Sequence, residues 1–143
     1  MFSYDVKGIR VRYADTDQMG YVYYGNYARY YEIGRVEALR GLGFHYKEME
    51  DSGIMMPVYD LHCKFHQPAR YDDLLTITVK ITRPPSVRIN FEYEIRNQDG
   101  LLLNTGSTTL VFQHMKTGKL CPCPEELQAK LRPFFVEHNE WLA

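Results

Sequence analysis

The chain has 143 residues, 45% of them apolar and 24% charged, with a formal net charge of −1. This is the balance of an ordinary globular domain, and it excludes binding of polyanions through overall charge or a basic stripe. No apolar run approaches the roughly 20 residues a bilayer crossing needs, and the N-terminus MFSYDVKGIRVRYADTD has no apolar signal core, so a single domain over 1–143, without a membrane span and cytoplasmic, is expected.

Residues 8 to 13 (GIRVRY) alternate apolar and polar side chains and predict a first strand. The segment DTDQMGYVYYGN interrupts the alternation with Gly20, Gly25 and polar residues. From Asn26 to Arg40 there is no proline, and Tyr27, Tyr30, Tyr31, Gly34, Ala38 and Leu42 recur at helical spacing. Asn26 is suited to cap that helix and Gly41 and Gly43 to stop it. Gly34 would cost about 1 kcal/mol relative to Ala in a helix interior, which predicts another backbone packed close to the Gly34–Ala38 face. A less regular strand is expected from about Met55 to His66.

The second half reads as β. Residues 74 to 82 put Leu75, Ile77, Val79 and Ile81 on one face, and residues 87 to 96 do the same with Val87, Ile89, Phe91, Tyr93 and Ile95. Pro84 and Pro85 mark the connection, Asn97 to Gly100 the next turn, and a long strand follows from Leu101 to His114. Residues 125 to 137 offer Leu127, Leu131, Phe134 and Phe135 as a short amphipathic helix that Pro133 should kink or end. One long helix against a five-stranded sheet is an α+β solution. A single helix covers only part of such a sheet, so the remaining apolar and aromatic surface predicts self-association.

Chemistry concentrates in residues 13 to 27 (YADTDQMGYVYYGNY), where Asp15 and Asp17 precede a glycine-punctuated loop that feeds a helix N-terminus. Such an end presents unpaired backbone N–H groups and about half a positive charge. A carboxylate beside it combines a nucleophile or base with a donor for an oxyanion, the requirements of acyl-transfer hydrolysis. The plainer reading of loop aspartates is that they form turns or caps.

The run DTDQMGYVYYGNYARYYE closely resembles the signature of the 4-hydroxybenzoyl-CoA thioesterase-like family of hotdog acyl-CoA thioesterases: an Asp-x-Asp pair, a Gly three residues on, an aromatic stretch, then Asn-Tyr opening the long helix. Element order and chain length resemble the family over nearly the whole chain. The resemblance implies a hotdog fold, a five-stranded antiparallel sheet wrapped around one long central helix with a short C-terminal helix. It implies hydrolysis of a small or medium acyl-CoA, aliphatic or aromatic, to free acid and CoA. Asp17 would attack the thioester or activate a water, and the backbone N–H groups of Tyr24, Gly25 and Asn26 would polarise the carbonyl. Gly20 would permit tight approach of the loop, and Glu32 matches a position that is acidic in the hydroxybenzoyl branch and meets the acyl group. Because the family's sites lie between subunits, a homodimer or homotetramer is implied, with Pro57, Tyr59 and Phe65 as candidates for the second wall. No cofactor is expected beyond the coenzyme A of the substrate, which an acyl-carrier protein could replace.

Two departures stand out. Tyr24 occupies a position where many members have histidine, although the hydroxybenzoyl branch tolerates tyrosine there. Pro84-Pro85-Ser86 stands where a basic residue would help hold the CoA phosphates, a task left to Arg83, Arg88, Lys116 or Lys119.

The same residues admit other readings. Asp15 is read as structural, bonded to nearby backbone N–H groups. His62 and His66 share a strand face while Cys63 points away, so no metal is expected. Cys121 and Cys123 flank Pro122 in an expected surface turn as free thiols, and their odd total with Cys63 excludes a complete disulfide framework. His114 and His138 are read as surface residues. A hydratase on the same fold is disfavoured because no histidine lies between Asp17 and Phe44. A non-hydrolytic acyl-CoA or acyl-carrier-protein binding module is the alternative of a different class.

Overall fold

The computed structural model describes residues 1–135; His138 and the end of the expected 125–137 helix lie outside them. Strand β1 (Phe2–Arg10) starts earlier than the alternation of GIRVRY suggests and ends sooner. Gly8, at φ 80°, sits where the pairing register shifts between Val6 and Ile9, a bulge that lets Ile9 pack against the core on the side that Phe2 and Val6 face before it. Past Arg10 the chain turns inward at the fully buried Val11, whose N–H donates to the Asp73 carbonyl. Short 3-10 turns follow at Tyr13–Asp15 and Tyr24–Asn26.

Helix α1 (Tyr27–Gly41) buries Tyr27, Tyr30, Tyr31, Gly34, Arg35, Ala38 and Leu39, and Gly43 at φ 91° follows it. Asn26 occupies the cap position but is itself helical, and its side chain makes no cap bond. The preceding 3-10 turn removes the need, because Tyr23 and Tyr24 carbonyls already accept from the N–H groups of Asn26 and Tyr27. Helix α2 (Tyr46–Asp51), which the periodicity did not suggest, brings Met49 into the core.

The expected 55–66 strand is two pieces, β2 (Ile54–Met55) and β3 (Val58–Phe65). Strands β4 (Leu74–Ile81) and β5 (Arg88–Arg96) alternate as read, except that Val87 lies before β5 and is exposed. The 101–114 segment also divides, into β6 (Leu102–Val111) and β7 (Gln113–His114), and β7 pairs with β2 in a separate two-stranded sheet. The main sheet is antiparallel, in the order β1-β4-β5-β6-β3. Helix α3 (Glu125–Leu131) gives way to a 3-10 turn at Arg132–Phe134, the early end that Pro133 imposes.

Helix α1 lies against the apolar face of β1, β4 and β5, the hotdog arrangement. Its close approach is to side chains and not to another backbone: a Cβ on Gly34 would come within 2.9 Å of Cγ2 of both Ile77 and Val79. Gly106 of β6 makes room in the same way for the Tyr31 hydroxyl, which donates to Asn104 while its ring stacks on Tyr93 at 4.2 Å. Burial above all drives the Tyr31 pKa upward, keeping the hydroxyl a donor. Cys121 and Cys123, expected in a surface turn, are buried, because their backbone N–H groups donate to Phe112 and Ser86 and draw the segment onto the sheet. Burial, with Glu125 and Cys121 nearby, pushes the Cys123 thiol up to about 12, which leaves it an unreactive packing group.

Candidate active site

The loop between β1 and α1 is built around Asp15. This carboxylate, 7% exposed, accepts from the Arg12 N–H at 2.8 Å, from the Arg29 guanidinium and from the Tyr30 hydroxyl. Its backbone carbonyl accepts from the Tyr23 N–H and from the Asn26 carboxamide, both at 2.9 Å. Desolvation first, then the neighbouring Asp15, drives the Tyr30 pKa upward, so its hydroxyl remains protonated and donates. Asp15 therefore ties the loop to the start of α1.

Asp17 lies in the adjoining tight turn. Its carbonyl accepts from the Gly20 N–H at 3.0 Å, and Gly20 takes φ 78°, a left-handed conformation that glycine adopts without a side-chain clash. The Asp17 N–H donates to the Tyr21 carbonyl at 2.9 Å. The carboxylate is half-buried and accepts one bond through Oδ1, from the Met19 N–H at 2.9 Å. Lone pairs that Asp15 uses on its own loop are thus open at Asp17.

Beyond the turn, Val22 and Tyr21 are stitched to the segment after β3: the Val22 N–H donates to the Ala69 carbonyl at 2.8 Å, and Tyr21 bridges to Arg70. Next comes the 3-10 turn that opens α1. A Cβ on Gly25 would meet the exposed Tyr23 ring at 2.7 Å, so a larger residue there would push that ring aside. The Asn26 N–H is engaged by Tyr23, whereas the N–H groups of Tyr24 and Gly25 have no acceptor among the described residues. These two remain free to meet a developing negative charge.

Asp17 opens into a cavity of about 260 Å³ whose walls include Met19, Val22, Tyr24, Tyr27, Phe65 and Gln67. Phe65 meets Tyr27 edge to face at 5.2 Å, so the residue proposed for a partner's wall already lines the cavity of its own chain. The remaining candidates lie elsewhere within one chain. Glu32 is exposed on α1 and is not among the residues that line this cavity. Pro57 precedes β3 and Tyr59 is near its start, about 20 Å from Phe65 at roughly 3.3 Å per residue. Arg88 sits over the Tyr59 ring at 4.8 Å, and with Arg83 and Asn90 it lines a separate hollow of about 420 Å³. Periodicity did not single out Gln67, whose segment after β3 carries no repeat and whose place in the wall depends on its pairing with the 17–22 loop. Cys63 turns inward to the Tyr31 hydroxyl and the Asn104 carboxamide. Among the described residues no three His, Cys, Asp or Glu side chains group as metal ligands, and no helix is long and apolar enough to cross a membrane.

A sheet curled around one helix, with a carboxylate and free backbone donors at the helix start, defines a hotdog-fold protein of the acyl-thioester type. The model of the thioesterase-like superfamily matches residues 11–131, and the chain belongs to that family. It is similar to the Bacillus subtilis protein YneP, with 38% identity over 67% of this chain and 70% of the relative. It is also similar to the acyl-CoA thioester hydrolase YbgC of Escherichia coli, with 33% identity over 72% of this chain and 77% of the relative. Among solved structures, a DHNA-CoA thioesterase from Staphylococcus aureus superposes with a TM-score of 0.86 at 32% identity, covering 96% of this chain and 95% of that one.

Proposed function

We propose that the chain is an acyl-CoA thioesterase in which Asp17 is the catalytic carboxylate. The observation that carries this reading is the contrast in engagement: Asp17 keeps open lone pairs beside a cavity that also holds Tyr24, whose N–H, like that of Gly25, is free. The thioester carbonyl lies toward these two N–H groups, which stabilise the oxyanion as the tetrahedral intermediate forms. Asp17 either attacks the carbonyl to give a mixed anhydride that water then cleaves, or takes a proton from the attacking water. Either route ends in a carboxylic acid and the CoA thiol. The apolar wall of Val22, Tyr27, Phe65 and Met19 receives a small or medium acyl group.

The working unit is a homodimer paired along β3. This strand ends the main sheet, so one edge lacks a partner among the described residues, and it exposes Val58, Tyr59, Leu61 and Phe65. An apolar open edge of this kind favours pairing with another strand. Antiparallel pairing of two β3 strands about a twofold axis brings the Phe65 end of one against the Tyr59 end of the other. The partner's Tyr59 and the partner's Arg88 then stand near the cavity, where a cation suits the phosphates of CoA. Sedimentation tests this: wild type should run as a dimer or tetramer and Leu61→Lys should shift toward monomer, and a monomeric wild type would refute the pairing.

The activity is tested by following thiol release from a panel of short, long and aromatic acyl-CoAs with wild type and Asp17→Asn. Release by the wild type, lowered at least about 100-fold in the variant, supports the assignment. Equal release by both proteins would remove Asp17 from the chemistry, and no release by either would favour a binding module.

A further inference from the structure

We propose that Gln67 is a substrate-binding residue that recognises the secondary amide of the pantetheine arm, the part of the thiol component nearest the thioester. This rests on the thioesterase reading above and assigns a contact which that reading lacks.

Three observations carry it. The backbone of Gln67 is fixed: the N–H groups of both His66 and Gln67 donate to the Leu103 carbonyl, at 2.9 and 3.0 Å. Pro68 holds Gln67 in the extended region. Two residues on, Ala69 and Arg70 join the catalytic loop through Val22 and Tyr21, with the Arg70 guanidinium over the Tyr21 ring at 4.9 Å. The segment that carries Gln67 is therefore held to the same loop as Asp17.

The second observation is that Gln67 lines the Asp17 cavity, is exposed, and has a carboxamide with no hydrogen bond to any described residue. Of the other polar side chains of the wall, leaving the tyrosines aside, the His66 ring is bonded through Nε2 at 2.9 Å from Thr105 Oγ1, and the Asp17 carboxylate accepts from the Met19 N–H and is otherwise open. The third is chemical. A carboxamide offers one acceptor oxygen and two N–H donors, and one of those donors can bond the C=O of a trans secondary amide, whose N–H points to the opposite side. An acyl-CoA places such an amide a few bonds from its sulfur, as does an acyl-carrier-protein thioester. An exposed carboxamide beside a half-buried carboxylate suits that geometry: the carbonyl reaches inward and the arm stays at the mouth.

The test compares one acyl group carried on CoA with the same acyl group carried as an S-ethyl thioester, which has no amide. The ratio of the two kcat/KM values should fall about 5- to 10-fold in Gln67→Ala, chiefly through KM on the CoA ester, as expected for one neutral hydrogen bond. Gln67→Glu, which keeps the length but loses the donors, should lower the ratio as well. An unchanged ratio overturns the proposal, whether the variant loses activity equally on both esters or on neither. If the wild type hydrolyses neither ester, the thioesterase reading fails separately, and calorimetry with CoA decides the contact. A Kd raised about 5- to 10-fold in Gln67→Ala then supports it, while an unchanged Kd or no CoA binding by the wild type refutes it.

Discussion

Asp15 and Asp17 share one loop and one side-chain chemistry, but their surroundings separate them. Around Asp15 the protein closes completely, with a backbone N–H, a guanidinium and a phenol all donating to the carboxylate. Around Asp17 it makes one bond and then opens into the cavity. A carboxylate with both oxygens bonded inside its own chain contributes order, because breaking any of those bonds strands a buried group. A carboxylate with free lone pairs next to apolar walls and unpaired N–H groups can instead take a proton or attack a carbon. On the proposed reading the pair divides structure from chemistry, and single substitutions can test the division.

The largest effect belongs to Asp17→Asn. Asparagine keeps the oxygen that accepts from the Met19 N–H, so the turn persists and the melting temperature should stay within about 2 °C of wild type. The carboxylate itself is lost, and turnover should fall at least about 100-fold, or about 2.7 kcal/mol in the barrier. A large loss of stability with this substitution would break the comparison, since Asp17 would then be a structural carboxylate like its neighbour.

Asp15→Asn should give the reverse pattern at smaller energy. The new amide cannot accept from both the Arg12 N–H and the Arg29 guanidinium, which leaves a donor facing donors in a site only 7% exposed. A loss of about 1–3 kcal/mol follows, which for a chain of this size lowers the melting temperature by about 3–10 °C. Thermal unfolding followed by circular dichroism measures it, and kcat of the folded fraction should change far less than in Asp17→Asn.

Much of this contrast could be read before any coordinates. The signature from Asp15 to Glu32 marked the loop and helix start, and the alternation in β4 and β5 gave the buried face, because periodicity reports burial directly. Three features escaped it. Gln67 joins the cavity through long-range pairing of the 66–70 segment with the 17–22 loop, and no local pattern encodes that contact. The Asn26 side chain looked like a cap, but a 3-10 turn had already satisfied the helix start and freed the carboxamide for the Asp15 carbonyl. Cys121 and Cys123 looked exposed beside prolines, yet two backbone hydrogen bonds hold them against the sheet.

The smallest effect is expected from Arg29→Met. The guanidinium side chain is 52% exposed, and it also lies 5.6 Å from the Tyr30 ring centre. Such a pair is screened by water and salt, so its loss should cost about 1 kcal/mol or less. The cost should shrink further between low salt and about 1 M, where the Debye length falls to roughly 3 Å. The double substitution Asp15→Asn/Arg29→Met then measures how much of the Asp15 effect passes through the ion pair. If Arg29→Met alone costs as much as Asp15→Asn, the guanidinium holds the loop. If it costs little, the bond from the Arg12 N–H does, and the enclosure of Asp15 is then a local property of the turn that closes on it.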